Sequence, residues 1–245
     1  MKSITVDSVD IPFDAGWAKI AVSLSGGADS ALLTYLLCRH VEQTKLQIEV
    51  HLISHVRCWK TKPWQAEDFE NVRRYLIDKF PTIKFELHTG FVAPDLEWGE
   101  KGPTITDEYG KLVSGDNIQI RSYAEYICCA NYIDAYYNAV TKNPSSVDFK
   151  GMPTRDIEPT ESNQHLRIMK HLGKWALHPF RFVEKDWVYR QYRRENLLDL
   201  WNLTRSCEGT FDHINYENYH KGMKVPTCGK CFWCKEREWA IEQYQ

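Results

Sequence analysis

Apolar residues in this chain fall in short runs that alternate with longer stretches in which they recur at helical spacing. The clearest helical stretch carries Leu32, Leu33, Leu36 and Leu37 on one stripe. In chain order, the pattern predicts strand 18–24, helix 29–41, strand 47–56, helix 64–79, strand 83–88, helix 116–140, strand 146–150, strand 175–179 and helix 184–196. Because strands alternate with helices, we expect an α/β fold in which right-handed crossovers wind a parallel sheet.

Two polar stretches interrupt this alternation. The first, 91–115, contains prolines, glycines and charges of both signs, and 151–173 has a similar composition. Loops of this length inside a compact domain are commonly lids or mobile segments. Each follows a predicted strand, and parallel sheets bind ligands at the carboxyl ends of their strands. We therefore expect both stretches to overhang a ligand site.

The connection between the first predicted strand and its helix carries the strongest functional signal. It reads Ser25-Gly26-Gly27-Ala28-Asp29-Ser30. The glycines permit a backbone in which several N–H groups converge on an anion, at the positive end of the helix dipole. Ser25 and Ser30 add hydroxyl donors, and Asp29 can hold Mg²⁺ against bound phosphates. Since the residues fit neither the Walker nor the dinucleotide-binding pattern, they predict a phosphate loop of another type.

Four cysteines form the second strong signal. Cys228, Cys231 and Cys234 are each separated by two residues, and Cys207 lies farther upstream. Four thiolates predict a tetrahedral structural Zn²⁺ site with no coordination position left open. An iron–sulfur cluster is the alternative, because its ligands can also come at two-residue gaps. We expect a single domain, 1–245, in which residues 202–245 form a zinc-stapled C-terminal segment.

Composition narrows the class of protein further. The 245 residues are enough for one large α/β domain, and the net charge of −2 predicts no strong attraction to nucleic acid or to a membrane surface. No segment approaches ~20 consecutive apolar residues. The first ten residues carry acids and no apolar signal core, so we expect a cytoplasmic protein whose eight cysteines are thiols or metal ligands. A homodimer remains open.

The glycine-rich loop resembles that of the N-type ATP pyrophosphatases, or PP-loop enzymes, in which it reads Ser-Gly-Gly-x-Asp-Ser. Every defined position of that pattern matches from Ser25 to Ser30. The resemblance implies an adenine nucleotide alpha-hydrolase-like fold. It also implies that ATP, held with Mg²⁺, is cleaved between its α and β phosphates to activate a carbonyl oxygen.

The cysteines narrow the resemblance to the 7-cyano-7-deazaguanine synthases, which combine this loop with a four-cysteine zinc site. Their C-terminal region reads Thr-x-Ser-Cys and then Cys-Gly-x-Cys-x-x-Cys-x-x-Arg. This chain supplies Thr204-Arg205-Ser206-Cys207 and then Cys228-Gly229-Lys230-Cys231-Phe232-Trp233-Cys234-Lys235-Glu236-Arg237. His178-Pro179-Phe180 followed by Lys185 is similar to the family's Pro-Leu and Lys ahead of a helix. The resemblance thus covers both ends of the chain.

The middle of the chain departs from that family where the family binds its substrate. The family's Tyr-Gly-Gln-Arg/Lys-His after the second strand is replaced by Ser54-His55-Val56-Arg57-Cys58-Trp59. Its Arg-Asn at the start of the central helix is here Arg121-Ser122, and its Asp-rich loop is replaced by residues 151–156. Activation by ATP is therefore better supported than the identity of the substrate.

The resemblance implies a ligase that adenylates the carboxylate of 7-carboxy-7-deazaguanine and, with ammonia, converts it through the amide to the nitrile. Asp29 and Ser30 would be catalytic residues that bind the phosphates of ATP, Asp29 through Mg²⁺ and Ser30 through its hydroxyl. Lys185 and Arg121 are candidates for stabilising the phosphates or the carboxylate. The alternative for Lys185 is a solvated lysine at a helix start, and the alternative for Arg121 is a surface or salt-bridged role. Asp156 and Glu158 are candidates for accepting hydrogen bonds from a guanine-like edge, although Asp also caps loops.

Two other functions fit part of the pattern. One is a PP-loop enzyme that adenylates a tRNA or protein substrate; sulfur transfer to RNA would favour a reactive cysteine and a basic face. The other is a zinc-stapled protein that binds a nucleotide or a partner without turnover. The altered central motifs favour this second function, and the intact Asp29 and Ser30 oppose it.

Overall fold

The computed structural model describes residues 2–57, 64–92, 104–106, 112–153, 155, 166–169, 174–208 and 226–244. The strands are β1 (Lys2–Val6), β2 (Val9–Phe13), β3 (Lys19–Ser23), β4 (Glu49–Arg57), β5 (Phe85–Val92), β6 (Thr104–Thr106), β7 (Leu112–Ser114), β8 (Ala135–Tyr137), β9 (Leu166–Met169) and β10 (Lys174–Leu177). The helices are α1 (Ala28–Thr44), α2 (Gln65–Lys79), α3 (Gly115–Ala130), α4 (Lys185–Arg194), α5 (Leu198–Leu203) and α6 (Phe232–Glu242).

A six-stranded sheet with the order β5-β4-β3-β8-β10-β9 forms the centre of the fold. Its first five strands run parallel, whereas β9 pairs antiparallel with β10 at the edge. In β3, Ile20, Ala21 and Val22 are fully buried, as expected of a parallel strand that is covered on both faces. The predicted α/β fold with a parallel sheet is confirmed.

Helices cover the two faces of this sheet in separate apolar clusters. The leucine stripe of α1 is fully buried in the larger cluster. On the opposite face, Ala124 and Ile127 of α3 pack against Ala21 and Ile53 of the sheet. Because both faces are covered, a ligand reaches the sheet from the carboxyl ends of its strands.

Two predicted elements around residue 140 are wrong. The predicted helix 116–140 ends early: α3 stops at Ala130, Tyr132 adopts a positive φ of 57°, and the chain enters the sheet as β8. Three buried residues are too few to show a strand period, so pairing with β3 and β10 decides the conformation of β8. The predicted strand 146–150 forms no strand; Val147 and Phe149 instead pack half-buried against the larger cluster.

Other elements were not predicted from the apolar pattern. The antiparallel pair β1–β2 precedes the sheet, and β9 lies within the polar stretch 151–173. The described residues of 91–115 belong to the end of β5, to the antiparallel pair β6–β7 and to the first residue of α3. These described residues therefore form regular elements where the sequence pattern predicts loops.

The C-terminal helix is anchored to the rest of the protein by an arginine. Arg237 of α6 lies over the ring of Trp201, 3.7 Å from its centroid, and donates to the Trp201 carbonyl at 2.6 Å and to Thr204 Oγ1 at 3.0 Å. Burial lowers the pKa of Arg237 to about 10, so the guanidinium is still charged at neutral pH. Among the described residues, no helix combines the length and apolar character needed to cross a membrane.

Candidate active site

The glycine-rich loop leaves the carboxyl end of β3 and leads into α1. Gly26 has a positive φ of 81°, and a Cβ added there would lie 2.8 Å from the Phe69 backbone nitrogen and 3.0 Å from Asp68 Cβ. Glycine is therefore required for both backbone conformation and space. Gly27 caps α1 and offers no side chain to the first-turn N–H groups, which leaves them available for an anion.

The two serines of the loop hold its backbone in shape. Ser30 Oγ accepts from the Ser25 backbone N–H at 3.2 Å and donates to the Gly27 carbonyl at 3.1 Å. Ser25 Oγ lies 3.1 Å from Ser30 Oγ and accepts from the Gly27 N–H at 3.3 Å. These bonds organise the loop before any ligand binds, which lowers the ordering cost of binding.

Lys185 contacts this loop from α4, of which it is the first residue. Its side chain is 2% exposed, and its ammonium lies 2.6 and 2.5 Å from the two carboxylate oxygens of Asp29. A solvated role for Lys185 is therefore wrong, and a salt-bridged one applies. Asp29, in the first turn of α1, keeps 21% of its side chain exposed and lines the adjacent cavity.

A second carboxylate lies behind Lys185. Glu236 of α6 is fully buried, and its Oε2 is 3.9 Å from the Lys185 ammonium. Arg155 forms a two-pronged pair with Glu236, at 2.6 and 3.0 Å, and also donates to Thr141 Oγ1 at 3.1 Å. The four charged residues alternate in sign from Asp29 through Lys185 and Glu236 to Arg155.

Arg155 and Glu236 were not identified as site residues from the sequence. The available signal was the position of Glu236 on α6, where its helical neighbours Phe232, Trp239 and Ala240 are buried. A carboxylate at the core-facing position of a helix needs a buried partner. Arg155 offered no comparable signal, because it lies in a polar stretch without periodicity.

The loop, Lys185 and Arg155 line one cavity of about 280 Å³ at the carboxyl end of the sheet. Ser23 of β3, His55 of β4 and Asn138, which follows β8, also line it. These residues belong to three adjacent strands or directly follow them, as expected for a ligand site in a parallel sheet. Further lining residues are Gln65, Ile120, Ala139, Val140, Thr141, Arg205, Ser206, Glu208 and Trp233.

The segment that leads to the cysteines closes over the glycine-rich loop. The Arg205 backbone N–H donates to the Gly26 carbonyl at 2.9 Å. The Arg205 guanidinium lies over the Trp64 ring, 4.3 Å from its centroid, and donates to the Pro226 carbonyl at 2.8 Å. The C-terminal region thus contributes directly to the wall of the cavity.

The four predicted metal ligands meet in one place. Their sulfur atoms all lie within 4.8 Å of one another, and those of Cys228 and Cys234 are 3.9 Å apart. A tetrahedral ion with bonds of about 2.3 Å to sulfur sets its thiolates about 3.8 Å apart. The backbone N–H groups of Cys228 and Cys231 donate to Cys207 Sγ and Cys228 Sγ, each at 3.3 Å, which stabilises thiolate charge.

The remaining predicted site residues lie elsewhere or are not described. Arg121 is on α3, close enough to Tyr136 for its charge to oppose the effect of burial, which raises the pKa of Tyr136 to about 12. The neighbouring Ile120 lines the cavity. A role for Arg121 in binding phosphate or carboxylate stays a prediction. Asp156 and Glu158 lie outside the described residues.

Comparisons with known proteins give only distant likenesses. No protein-family model matches the chain, and no curated protein matches it. Among solved structures, it is similar to the U34-tRNA thiolase NcsA from Methanococcus maripaludis with its [4Fe-4S] cluster, at 15% identity and a TM-score of 0.45. That match covers 92% of this chain, which spans 65% of the thiolase chain.

A second solved structure is the NMN synthetase from Francisella tularensis, at 15% identity and a TM-score of 0.41. The match covers 94% of this chain and 86% of that chain. Likenesses of this size establish neither a family nor an activity. The fold and the site define an α/β protein with a glycine-rich loop at the carboxyl edge of a parallel sheet and a four-cysteine cluster beside it.

Proposed function

We propose that this protein is an ATP-dependent enzyme that transfers the AMP portion of ATP to a carboxylate, as PP-loop enzymes do. One observation carries the proposal: the glycine-rich loop and the Asp29–Lys185 pair meet at the wall of the same cavity. The loop offers backbone N–H groups and hydroxyls to phosphate oxygens. The pair adds an ammonium for the phosphates and a carboxylate for their metal ion.

The proposed reaction begins when a carboxylate oxygen of the substrate attacks the α-phosphorus of ATP. The bond to the β-phosphate oxygen breaks as the new bond forms, and pyrophosphate leaves with the electron pair. Ammonia then attacks the acyl carbon, loses a proton and displaces AMP, which gives an amide. Because side chains form no covalent bond in these steps, alignment and charge stabilisation by the loop and Lys185 supply the rate enhancement.

The donor sets of the site suit two metal ions. Asp29 would hold Mg²⁺, which when bound neutralises charge on the phosphates. The four cysteines would hold Zn²⁺ as a structural ion, since their sulfur spacing suits a single ion. A four-iron cluster would place iron and sulfide between the thiolates and hold them farther apart. A thiol-based site persists in a reducing compartment, which supports the cytoplasm as its location.

The proposed substrate is 7-carboxy-7-deazaguanine, and the proposed product is its nitrile. Sequence resemblance at both ends of the chain supports this choice. The cavity adds an aromatic wall, Trp233, and the amides of Asn138 and Gln65, which suit a planar heterocycle with a polar edge. The amide oxygen would attack the α-phosphorus of a second ATP, with release of pyrophosphate and loss of a proton from the amide nitrogen. Elimination of AMP with a second proton from that nitrogen would leave the nitrile.

Incubation of the purified protein with ATP, Mg²⁺, ammonia and 7-carboxy-7-deazaguanine tests this proposal. We expect AMP, pyrophosphate and the mass of the nitrile. If the product has the mass of the amide, the reaction stops after its first half. If the protein binds nucleotide but forms no AMP, 7-carboxy-7-deazaguanine is not its substrate. If ATP and its analogues do not bind at all, the proposed enzyme class is wrong.

Binding of the heterocycle can be tested without turnover. In the presence of a non-hydrolysable ATP analogue, 7-carboxy-7-deazaguanine should raise the melting temperature of the protein. A heterocycle that lacks the exocyclic amine should not, because buried partners left unpaired reject such analogues strongly. Equal stabilisation by both compounds, or by neither, would contradict the proposed substrate.

A further inference from the structure

The line of buried charges behind the loop connects the two predicted functional centres of the protein. At one end, Asp29 belongs to the glycine-rich loop and holds the Lys185 ammonium at 2.6 and 2.5 Å. At the other end, Glu236 follows Cys234 by two residues in the sequence. Lys185 lies between the two carboxylates, 3.9 Å from Glu236 Oε2. One ammonium is therefore shared by the phosphate loop and by the helix of the cysteine cluster.

The position of Glu236 depends on the cysteine cluster through α6. Cys231 is the residue that caps this helix, and its carbonyl accepts from the backbone N–H groups of Cys234 and Lys235, both at 3.1 Å. Two of the four predicted metal ligands thus set the first turn of α6, directly before Glu236. An ion bound to these sulfurs would hold the first turn of α6 in place, and with it the Glu236 carboxylate.

Glu236 itself is not among the described residues that line the cavity. It is fully buried, and Arg155 holds both of its carboxylate oxygens. A ligand in the cavity would meet Lys185 and Arg155, the two cations on either side of Glu236. Among the described residues, these two cations are the link between the carboxylate and a nucleotide bound in the cavity.

We infer that Glu236 is a positioning residue that couples occupancy of the four-cysteine site to nucleotide binding by the glycine-rich loop, through Lys185. The inference rests on the proposed function. Glu236 offsets the charge of Arg155 and keeps the Lys185 ammonium beside Asp29, where it can turn to a phosphate oxygen. Without the carboxylate, two like charges remain and repel each other in a buried setting.

Coupling of this kind is reciprocal. If bound Zn²⁺ strengthens nucleotide binding by some factor, bound nucleotide strengthens Zn²⁺ binding by the same factor. The apparent Zn²⁺ affinity can be measured by competition with a chelator, with and without saturating Mg²⁺ and α,β-methylene-ATP. In the unaltered protein we expect the analogue to tighten Zn²⁺ binding by about 5-fold or more.

Glu236→Gln should abolish this effect of the analogue on Zn²⁺ affinity, because the amide keeps the shape and loses the charge. The matched control is Glu238→Gln on the same helix, since Glu238 is exposed and pairs with Lys235 at 3.2 Å. The control should keep the full coupling. Equal coupling in the unaltered protein and in both variants would overturn the inference.

A second variant protects the test against misfolding, because Glu236→Gln leaves Arg155 without its carboxylate. The double variant with Glu236→Gln and Arg155→Met removes both charges of the pair, and it should fold while showing no coupling. Retained coupling in this double variant would equally overturn the inference. If the analogue does not bind the unaltered protein at all, the proposed function fails first, and that failure is visible in a direct titration of the analogue.

Discussion

The glycine-rich loop and the charge network behind it are built in opposite ways. The loop residues are consecutive, and hydrogen bonds between them, such as those that join Ser25 and Ser30, hold the loop in shape. The network joins four residues from distant parts of the chain: Asp29, Arg155, Lys185 and Glu236. A site built from consecutive residues can be recognised as a sequence motif, whereas a site built from distant residues can be recognised only once the fold is known.

The two regions also differ in what a substitution should change. Removal of one partner from a buried, alternating set of charges leaves an uncompensated charge, at a cost of about 3–5 kcal/mol. The loop is partly exposed and presents its polar groups to the cavity. Changes to the polar side chains of the loop, Asp29 included, should therefore act on turnover, and changes in the more buried part of the network or in the metal site behind it should act first on stability.

The largest effect is expected at the metal site, because structural Zn²⁺ sites contribute roughly 10–16 kcal/mol of binding free energy. Purified protein should carry about one Zn²⁺ per chain. Cys231→Ser should lose the ion and much of the stability of the C-terminal segment, measured by elemental analysis and by thermal unfolding. Cys129→Ser is the control, since Cys129 is exposed and outside the cluster. Iron with a brown absorbance, or no metal, would make the zinc assignment wrong.

The next largest effect is expected at Asp29, which belongs to both regions. Asp29→Asn should keep the fold, because Glu236 still faces the Lys185 ammonium. AMP formation should fall by about 100-fold or more, since the metal ion loses its anionic ligand at the phosphates. Asp186→Asn on α4 is a control, because Asp186 forms an ion pair with the exposed Arg190 at 3.0 Å and is not among the described residues that line the cavity. Unchanged turnover in Asp29→Asn would remove Asp29 from the active site.

The same contrast explains what could be predicted from the sequence. The glycine-rich loop, the cysteine cluster and the parallel sheet follow from spacing and periodicity over short stretches, as at 18–41. Lys185 was found only through resemblance to a family. β8 was missed because three residues between two strands carry no period of their own. Glu236 was missed because its partners are brought to it by the fold.

A smaller effect is expected where the loop needs glycine. Gly26→Ala should destabilise the protein by about 2–5 kcal/mol, because a positive φ costs about 1–2 kcal/mol and overpacking against the backbone at Phe69 costs about 1–3 kcal/mol. Gly151→Ala is a matched control, since Gly151 has a φ of 80° but an added Cβ would meet no described heavy atom within 4 Å. Denaturant unfolding should show the difference, and equal losses would contradict the close contact at Gly26.

The smallest effect is expected away from the site, where burial opposes the protonation of two stacked histidines, His51 and His88. His51 Nδ1 lies 2.8 Å from His88 Nε2, and His51 Nε2 lies 2.7 Å from Glu49 Oε1. Burial lowers the pKa of His51, whereas Glu49 acts in the opposite direction. Burial also lowers the pKa of His88, and the neighbouring charge of His51 lowers it further.

This pair should make the protein less stable in mild acid. An unfolded histidine takes up a proton near pH 6.5, whereas these two resist it in the folded state, so their stabilisation is present above about pH 6.5 and declines as the pH falls below it. The melting temperature should drop between pH 7.5 and 5.5, and the double variant with His51→Gln and His88→Gln should flatten that drop. His40→Gln is the control, because burial also lowers the pKa of His40, and this variant should remove only that residue's share. An unchanged slope in the double variant would mean that the stacked pair does not set the acid response.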